Sequence, residues 1–133
     1  MASPTVTFSI SELAQEFALT TRTIRFYEDE GLIAPARSGR NRVYGVRERT
    51  RLKLILRGKR LGLSLIEIRE ILDLYDTNVD EVPQQRKFQE ILENRRSLLL
   101  QQREDIDVVL SEVDGLLRQT RRLLDRGRRG KVG

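Results

Sequence analysis

The chain contains no cysteine and no histidine, and these absences exclude several classes of function. Without cysteine there is no disulfide and no thiolate metal site, and without histidine the usual zinc and copper ligand sets are also missing. Nucleophilic catalysis by cysteine and acid–base catalysis by histidine are unavailable. No nucleophile–base pair and no phosphate-cradling glycine loop can be found. We therefore expect neither enzyme activity nor a cofactor.

Long apolar runs are missing as well. No stretch approaches the roughly 18 apolar residues of a membrane span, and residues 1–10 carry neither the basic start nor the apolar run of a secretory signal. The 133 residues are 38% hydrophobic and 34% charged, which allows one small domain with an appendage, or two small pieces. We expect a cytoplasmic protein that does not bind membranes.

The charge is segregated along the chain. Residues 20–60 contain twelve Lys and Arg against four Asp and Glu, whereas residues 61–117 contain six against thirteen. Residues 118–133 are basic again, with seven against one. A basic block beside an acidic region indicates a surface for a polyanion and a separate part with another role. Unevenly distributed solubilising charge is the alternative.

Two short helices are predicted near the start of the chain. The first has apolar residues at helical spacing, at Ile10, Leu13, Ala14 and Phe17, and Ser9 with Glu12 fits a capping box, although Ser11 is an equal candidate for the cap. Only Ala18 and Leu19 separate it from the second, which begins at the hydroxyl of Thr20 and ends near Gly31. So tight a connection predicts a helix-turn-helix, with an ordinary αα-corner as the alternative.

The second helix presents a face suited to DNA bases. At about 100° per residue, one arc holds Thr21, Arg22, Arg25 and Phe26, and Ile24 and Tyr27 lie opposite. Arginine donates bidentately to guanine, and threonine bonds a base or touches a thymine methyl. We predict base contacts from Thr21, Arg22 and Arg25.

A small β-hairpin is predicted next. Pro35 stops a helix, and Gly39-Arg40-Asn41 offers turn chemistry between two short runs. Such a basic projection can lie along a sugar–phosphate backbone or reach into a minor groove, so we predict DNA contacts from Arg40 and Asn41 at its tip. We also predict phosphate contacts from Tyr27, Arg42 and Tyr44. A flexible basic loop is the alternative.

A second helix pair follows. Residues 47–61 place Leu52, Ile55 and Leu56 on one face, and Gly62 suits the left-handed position after a helix. Ser64 and Glu67 form a capping box that opens a helix whose inward residues are Leu65, Ile68, Ile71, Leu72 and Tyr75.

The amino-acid sequence of these segments resembles that of the winged helix-turn-helix of the MerR family of bacterial transcription regulators. The resemblance rests on Thr-Ile-Arg-Phe-Tyr-Glu-x-Glu-Gly-Leu-Ile from residue 23, Arg-x-Gly-x-Asn-Arg-Val-Tyr from residue 37, and residues 51–65. It implies a DNA-binding domain over residues 1–75, with a second wing near residues 59–64. Among the basic residues of this segment we predict phosphate contacts from Arg57 and Lys59, whereas others only keep the surface soluble. It also implies promoter DNA as the ligand and RNA polymerase as a candidate partner. Residues 51–65 are similar to a branch that controls branched-chain amino-acid and fatty-acid breakdown genes.

The last part of the chain predicts a coiled coil over residues 84–126, after a polar linker at 76–83 and before a disordered basic tail at 127–133. Heptad spacing places apolar residues at Phe88, Leu92, Leu99, Ile106, Val109, Val113, Leu116 and Leu123. Burying each is worth roughly 1.5–3 kcal/mol, so we predict that a second copy covers this seam. Packing on residues 1–75 is the alternative. The resemblance implies that the coil is antiparallel.

The fold is thus predicted to be mainly α, with a winged helix-turn-helix head, a small β-hairpin wing and a long antiparallel coiled-coil dimerisation helix. The predicted function is a homodimeric, sequence-specific transcriptional regulator that binds a pseudo-palindromic promoter site. It would act by occupying the promoter or, as the resemblance implies, by distorting the spacer between the two recognition elements of the promoter. Metal and redox sensors of the family place cysteines near the end of the coil, and this chain has none. A small-molecule effector, acyl-CoA-like if the branch is right, and no effector at all both remain open. The alternatives are an architectural or phage-type DNA-binding protein and a coiled-coil interaction adaptor.

Overall fold

The computed structural model describes residues 6–76 and 82–130, and the chain divides into two units, one ending at Ile91 and one beginning at Leu92. The elements in chain order are β1 (Thr7–Phe8), α1 (Ile10–Phe17), α2 (Thr21–Asp29), β2 (Ala36–Ser38), β3 (Asn41–Gly45), α3 (Val46–Leu61), α4 (Leu65–Asp76) and α5 (Val82–Gly130). The mainly helical fold with a winged helix-turn-helix and a long C-terminal helix is confirmed. Among the described helices, none is long and apolar enough to cross a membrane.

The short helices begin where the sequence predicts. Ser9 and Glu12 bond each other's backbone N–H groups at the start of α1, and Ser64 and Glu67 do the same at the start of α4. Each capping box satisfies two of the N–H groups that a helix start leaves without partners. The choice between Ser9 and Ser11 is therefore settled in favour of Ser9.

The wing has three strands rather than two. β3 pairs antiparallel with β2, with Ser38 opposite Asn41, and also with β1, where Phe8 lies opposite Tyr44. Gly39 has a φ of 64°, as the first central residue of a type II′ hairpin turn requires. β1 was not predicted because two residues are too short to show an alternating pattern.

One apolar core holds the first unit together. Its fully buried side chains come from α1, α2, the segment after α2, the wing, α3 and α4, and they include Leu13, Ile24, Tyr27, Leu32, Tyr44, Leu52, Ile55, Ile68 and Leu72. Helices α3 and α4 approach closely at Gly58, where a Cβ atom would lie 2.7 Å from Ile68 Cγ1.

The first turns of α5 belong to the head. Ile91 is buried in the head's core, and Lys87 Nζ lies 3.7 Å from a Glu70 carboxylate oxygen on α4. The head therefore extends past residue 75, its predicted end. Val82 and Pro83, expected in the linker, form the first turn of α5, where proline is tolerated because its missing N–H would have no partner. The rest of that linker after Asp76 lies outside the described residues.

Helix α5 also runs further than predicted. It continues through Gly127 to Gly130, so residues 127–130 are helical where a disordered tail was expected. Lys and Arg near a helix C-terminus interact favourably with the helix dipole, and Arg128 and Arg129 occupy the last turn. Residues 131–133 lie outside the described part of the chain.

Candidate nucleic-acid interface

The turn between α1 and α2 is set by one left-handed residue. Ala18 has φ 54° and ψ 45°, and its N–H donates to the carbonyl oxygens of Ala14 and Gln15. Leu19 N–H then donates to Ala14 O at 2.9 Å. These bonds end α1 abruptly and leave Thr20 in extended conformation as the cap of α2. The predicted helix-turn-helix connection is therefore present.

Helix α2 is held at both ends. Thr20 Oγ1 accepts from Thr23 N–H at 3.1 Å at the start. At the end, Gly31 N–H donates to Glu28 O and Leu32 N–H donates to Tyr27 O, both at 2.9 Å, with Gly31 at φ 74°. This is a Schellman motif, which requires the left-handed backbone that glycine adopts without strain. The two caps give a short helix a defined length and orientation.

The two faces of α2 separate as predicted. Ile24 and Tyr27 are 0% and 1% exposed and fix the helix to the core. Arg22, Arg25 and Phe26 are exposed on the other side, and Thr21 is half-buried. Two guanidinium groups and a hydroxyl therefore lie on the outward side of a rigid helix.

The tip of the wing is also accessible. Arg40 and Asn41 are exposed at the β2–β3 turn, and Arg37 on β2 is exposed beside them. These groups can donate to phosphate oxygens without leaving the hairpin. The predicted tip residues are thus placed where a duplex backbone could reach them.

The carboxylate of Glu28 on α2 forms hydrogen bonds with side chains of the wing. Arg42 Nε donates to Glu28 Oε2 at 2.8 Å, Tyr44 Oη donates to the same oxygen at 3.4 Å, and Arg37 Nη2 lies 3.6 Å from Glu28 Oε1. We call these four residues the Glu28 cluster. It fixes the wing strand β3 against the helix that carries Arg22 and Arg25.

The Glu28 cluster also changes the acidity of a phenol. Burial, and after it the charge of Glu28, raises the pKa of Tyr44 to about 12. The charge of Arg25 lowers the same pKa, so Arg25 lies within electrostatic range of Tyr44. The outward side of α2, which carries Arg25, and the wing are thus neighbours.

The structure contradicts two predicted phosphate contacts. Tyr27 and Tyr44 are 1% and 0% exposed, so neither phenol is accessible to a duplex in this conformation. Their rings fill the core beneath α2 and the wing, and the Lys59 ammonium lies 5.6 Å from the centroid of the Tyr27 ring. The helical period already placed Tyr27 opposite the base-facing arc of α2, whereas nothing in the sequence around Tyr44 indicated whether its ring is buried.

The basic residues of α3 divide into two groups. Arg57 and Lys59, predicted at phosphates, are exposed. Arg49 instead bonds Glu16 on α1, with Nε–Oε2 at 2.8 Å, and its guanidinium lies 5.7 Å from the Phe8 ring centroid. Its hydrogen bond is the main reason that the pKa of Glu16 is lowered.

Arg51 and Glu48 are the buried charges of the core. Arg51 Nε donates to Leu32 O at 2.8 Å and its Nη1 donates to Asp76 Oδ2 at 2.7 Å. Glu48 accepts from Ala34 N–H at 2.9 Å. These bonds fasten the segment after α2 to α3 and to the end of α4, because a buried charge is stable only when it is paired.

These structural ion pairs were not predicted from the sequence. One signal was available: residues 20–60 contain only four carboxylates, and two of them, Glu28 and Glu48, take part in the contacts above. A rare acidic residue inside a basic block is a candidate for a structural partner.

The residues predicted to form the dimer seam lie partly in the first unit and partly in the second. In the second unit Leu92, Leu99, Ile106, Val109, Val113, Leu116 and Leu123 are all exposed large apolar side chains. Phe88 differs, because it is half-buried in the head and lines a pocket with residues of α3 and α4. Thr120 occupies the heptad position between Leu116 and Leu123, and its hydroxyl donates to Leu116 O within the same helix.

These features define a class of protein. A capped helix carries outward arginines, a hairpin wing stands beside it, and the other basic residues of the head split between structural pairs and an exposed surface. Such a head is a winged helix-turn-helix DNA-binding domain. Within the described residues no group of carboxylates could hold a metal ion.

Comparison with known proteins identifies the family. Residues 8–74 match the model of the MerR HTH family regulatory protein, and residues 49–116 match that of the MerR DNA-binding region. The chain is 35% identical over 103 residues to the HTH-type transcriptional regulator HmrR of Rhizobium leguminosarum bv. viciae, covering 68% of this chain and 80% of that protein. The chain therefore belongs to the MerR family of DNA-binding transcriptional regulators.

Solved structures agree with this fold. The lead(II) complex of the transcription regulator PbrR691 from Ralstonia metallidurans CH34 aligns with a TM-score of 0.68 and 29% identity, covering 82% of this chain and 84% of that one. HiNmlR, a family member that lacks the sensor domain and is bound to promoter DNA, aligns with a TM-score of 0.56 at 21% identity, covering 77% and 80%. The chain spans about half the length of several other curated relatives that it matches.

Proposed function

We propose that this protein binds one pseudo-palindromic promoter site as a homodimer, each head reading one half-site through α2. The observation that carries the proposal is the outward face of α2, where Arg22 and Arg25 are exposed while Ile24 and Tyr27 fix the helix to the core. Thr21, Arg22 and Arg25 are the proposed base contacts. Arg40, Asn41, Arg42, Arg57 and Lys59 are proposed to contact phosphates or sugars and set the register.

Two arginines test this division of roles. Arg25→Ala should cost about 1–3 kcal/mol at its own base pair and relax specificity there, whereas Arg42→Ala should weaken binding to all sequences similarly. Arg103→Ala is the matched control, since it removes the same charge from the exposed surface of α5. Affinities would be measured by fluorescence anisotropy on an operator selected from fragments of the source genome, and on single-base variants of it. Uniform loss with both Arg25→Ala and Arg42→Ala would contradict the proposed role of α2.

The dimer is proposed to form through an antiparallel coil in which two copies of α5 cover each other's seam. Its support is the row of exposed apolar side chains at heptad spacing, which a single chain leaves in water. Ion pairs between exposed groups cannot replace this burial, because they contribute at most about 1 kcal/mol each. A two-fold dimer would present two identical heads to an inverted repeat.

Two neighbouring valines give a sharp test of the dimer. Val108 and Val109 are both 57% exposed in the single chain, but only Val109 lies on the seam. Val109→Glu should dissociate the dimer toward a particle of 15.5 kDa in sedimentation equilibrium, while Val108→Glu should not. Equal behaviour of the two variants would contradict the proposed register.

The proposed mode of action is occupancy of the promoter or distortion of its spacer, in the cytoplasm and together with RNA polymerase. Bending DNA costs on the order of 1–6 kcal/mol and depends on the sequence that is deformed. Effector control is typical of the family, and we propose that a small molecule modulates this protein. The branch that controls branched-chain amino-acid and fatty-acid breakdown stays a prediction that rests on residues 51–65. Two of those residues have structural roles here, since Arg51 is buried and Gly58 packs against Ile68.

Salt dependence separates the alternatives. A regulator should lose affinity steeply and linearly with the logarithm of salt concentration and should favour one site. An architectural protein would show the same slope with weak affinity for many sites. An interaction adaptor would show little DNA binding at any salt concentration.

A further inference from the structure

A pocket of about 170 Å³ lies in the head unit between α3, α4 and the first turns of α5. Its walls are apolar or aromatic and are formed by Leu54, Ile71, Leu74, Tyr75 and Phe88. No charged side chain contributes to the lining among the described residues. Gln84 and Gln85 complete the lining, and Gln85 is exposed.

Gln84, one of the lining residues, carries a polar atom without a partner. Gln84 Oε1 is buried and has no hydrogen-bond partner among the described residues. A buried acceptor without a partner is destabilising, and native structures normally satisfy it with protein, water or a ligand. Apolar walls with one unsatisfied acceptor are the arrangement expected of a small-molecule site.

The size and charge of the pocket limit what it can hold. An engineered apolar cavity of about 150 Å³ binds benzene, so this volume suits a molecule with a single ring or a short chain. The uncharged lining disfavours an ionic ligand, because nothing would replace the water lost from a buried charge. A whole phosphate-bearing acyl-CoA does not fit in this pocket.

We propose that this pocket binds a small neutral molecule, mostly apolar, that carries one hydroxyl or N–H group and donates it to Gln84 Oε1. Three elements line the pocket, and one of them, α5, continues from the head into the proposed coil. A ligand here adds contacts between α4 and the start of α5, beside the Glu70–Lys87 ion pair and buried Ile91. The pocket is thus the proposed effector site, and this regulatory role rests on the proposed function.

Phenol and toluene provide a matched pair of probes, because they differ only in a hydroxyl against a methyl group. Binding to the full chain, without DNA, would be followed by chemical shift changes of the pocket methyl groups and by thermal unfolding. We expect phenol to bind at least tenfold more tightly than toluene and to raise Tm, since toluene leaves the acceptor unpaired. Gln84→Leu should abolish or reverse this preference.

Two isoleucines on α4 provide the blocking variant and its control. Ile71→Phe should fill the pocket and prevent binding of both probes. Ile66→Phe adds the same ring to the same helix at a position that is 72% exposed, and should leave binding unchanged. Gln84→Leu keeps the apolar wall, so the specificity test remains valid if Ile71→Phe unfolds the head.

Several results would overturn the proposal. Equal affinity for the two probes, phenol binding that survives Ile71→Phe, or no binding at millimolar concentration would each do so. Saturating phenol should change operator affinity severalfold; unchanged affinity would support the site and overturn its regulatory role. Because binding is measured without DNA, a chain that binds phenol but no operator would contradict the proposed function alone.

Discussion

The close approach of α3 and α4 at Gly58 predicts that Gly58→Ala is destabilising. A Cβ at this position would lie 2.7 Å from Ile68 Cγ1 and 3.1 Å from Ile68 Cδ1. Ile68 is buried in the core, and Cγ1 is not the free end of its side chain, so it cannot move aside without disturbing its neighbours. Relief would require α3 and α4 to separate.

Two opposing effects set the magnitude. Alanine is favoured over glycine within a helix by about 1 kcal/mol, and overpacking a well-filled core costs about 1–3 kcal/mol. The net expectation is a loss of about 1 kcal/mol. At an m-value of about 1–3 kcal/mol/M, the urea midpoint should fall by roughly half a molar.

The matched control is Gly115→Ala, the same change inside α5. The nearest atom to a Cβ there is the end of the Arg118 side chain at 3.8 Å, an ordinary contact. At that position only the higher helix propensity of alanine acts, so the free energy of unfolding should rise by up to about 1 kcal/mol. Urea unfolding would be followed by circular dichroism at one protein concentration for all variants, because dimerisation makes stability concentration-dependent. If Gly58→Ala were as stabilising as Gly115→Ala, the packing inferred for α3 and α4 would be wrong.

Three further changes probe the turn and the Glu28 cluster. Ala18→Gly should raise the free energy of unfolding by roughly 0.5 kcal/mol, since glycine relieves the left-handed backbone at φ 54° but gains entropy in the unfolded chain; a loss in urea unfolding would contradict this. Glu28→Gln should destabilise the head by about 1–2 kcal/mol through the weaker bond to Arg42, and an unchanged midpoint would show that the pair contributes nothing. The raised pKa of Tyr44 keeps its phenol neutral in the fold, so its stabilising effect is complete below about pH 10 and is lost as pH rises toward about 12. Tyr44→Phe should remove that part of the pH dependence, and an identical profile in the variant would refute the assignment.

Local patterns were sufficient to predict where helices begin and end. The capping boxes at Ser9 and Ser64 and the glycines at 31 and 62 act within a few residues of their own position, so adjacent sequence specifies them. The outward face of α2 follows from the helical period for the same reason.

The roles of individual charged residues could not be predicted in this way. Arg42, Arg49 and Arg51 look alike in the sequence, yet one bonds the carboxylate of Glu28, one bonds Glu16, and one is buried against Leu32 O. Which of these applies depends on the partners that folding brings within about 3 Å, and those partners lie 14, 33 and 19 residues away. Composition shows only that the region is basic.

The sequence by itself determined the helices, the hairpin turn and the apolar seam of α5, because each depends on residue spacing and on neighbours in the chain. Only the tertiary structure decided that Tyr44 is a core residue and that the first turns of α5 belong to the head. It alone created the pocket beside Gln84, whose walls come from three helices. Burial is the physical reason for the difference: it depends on distant segments meeting, and a local pattern carries no information about which of them meet.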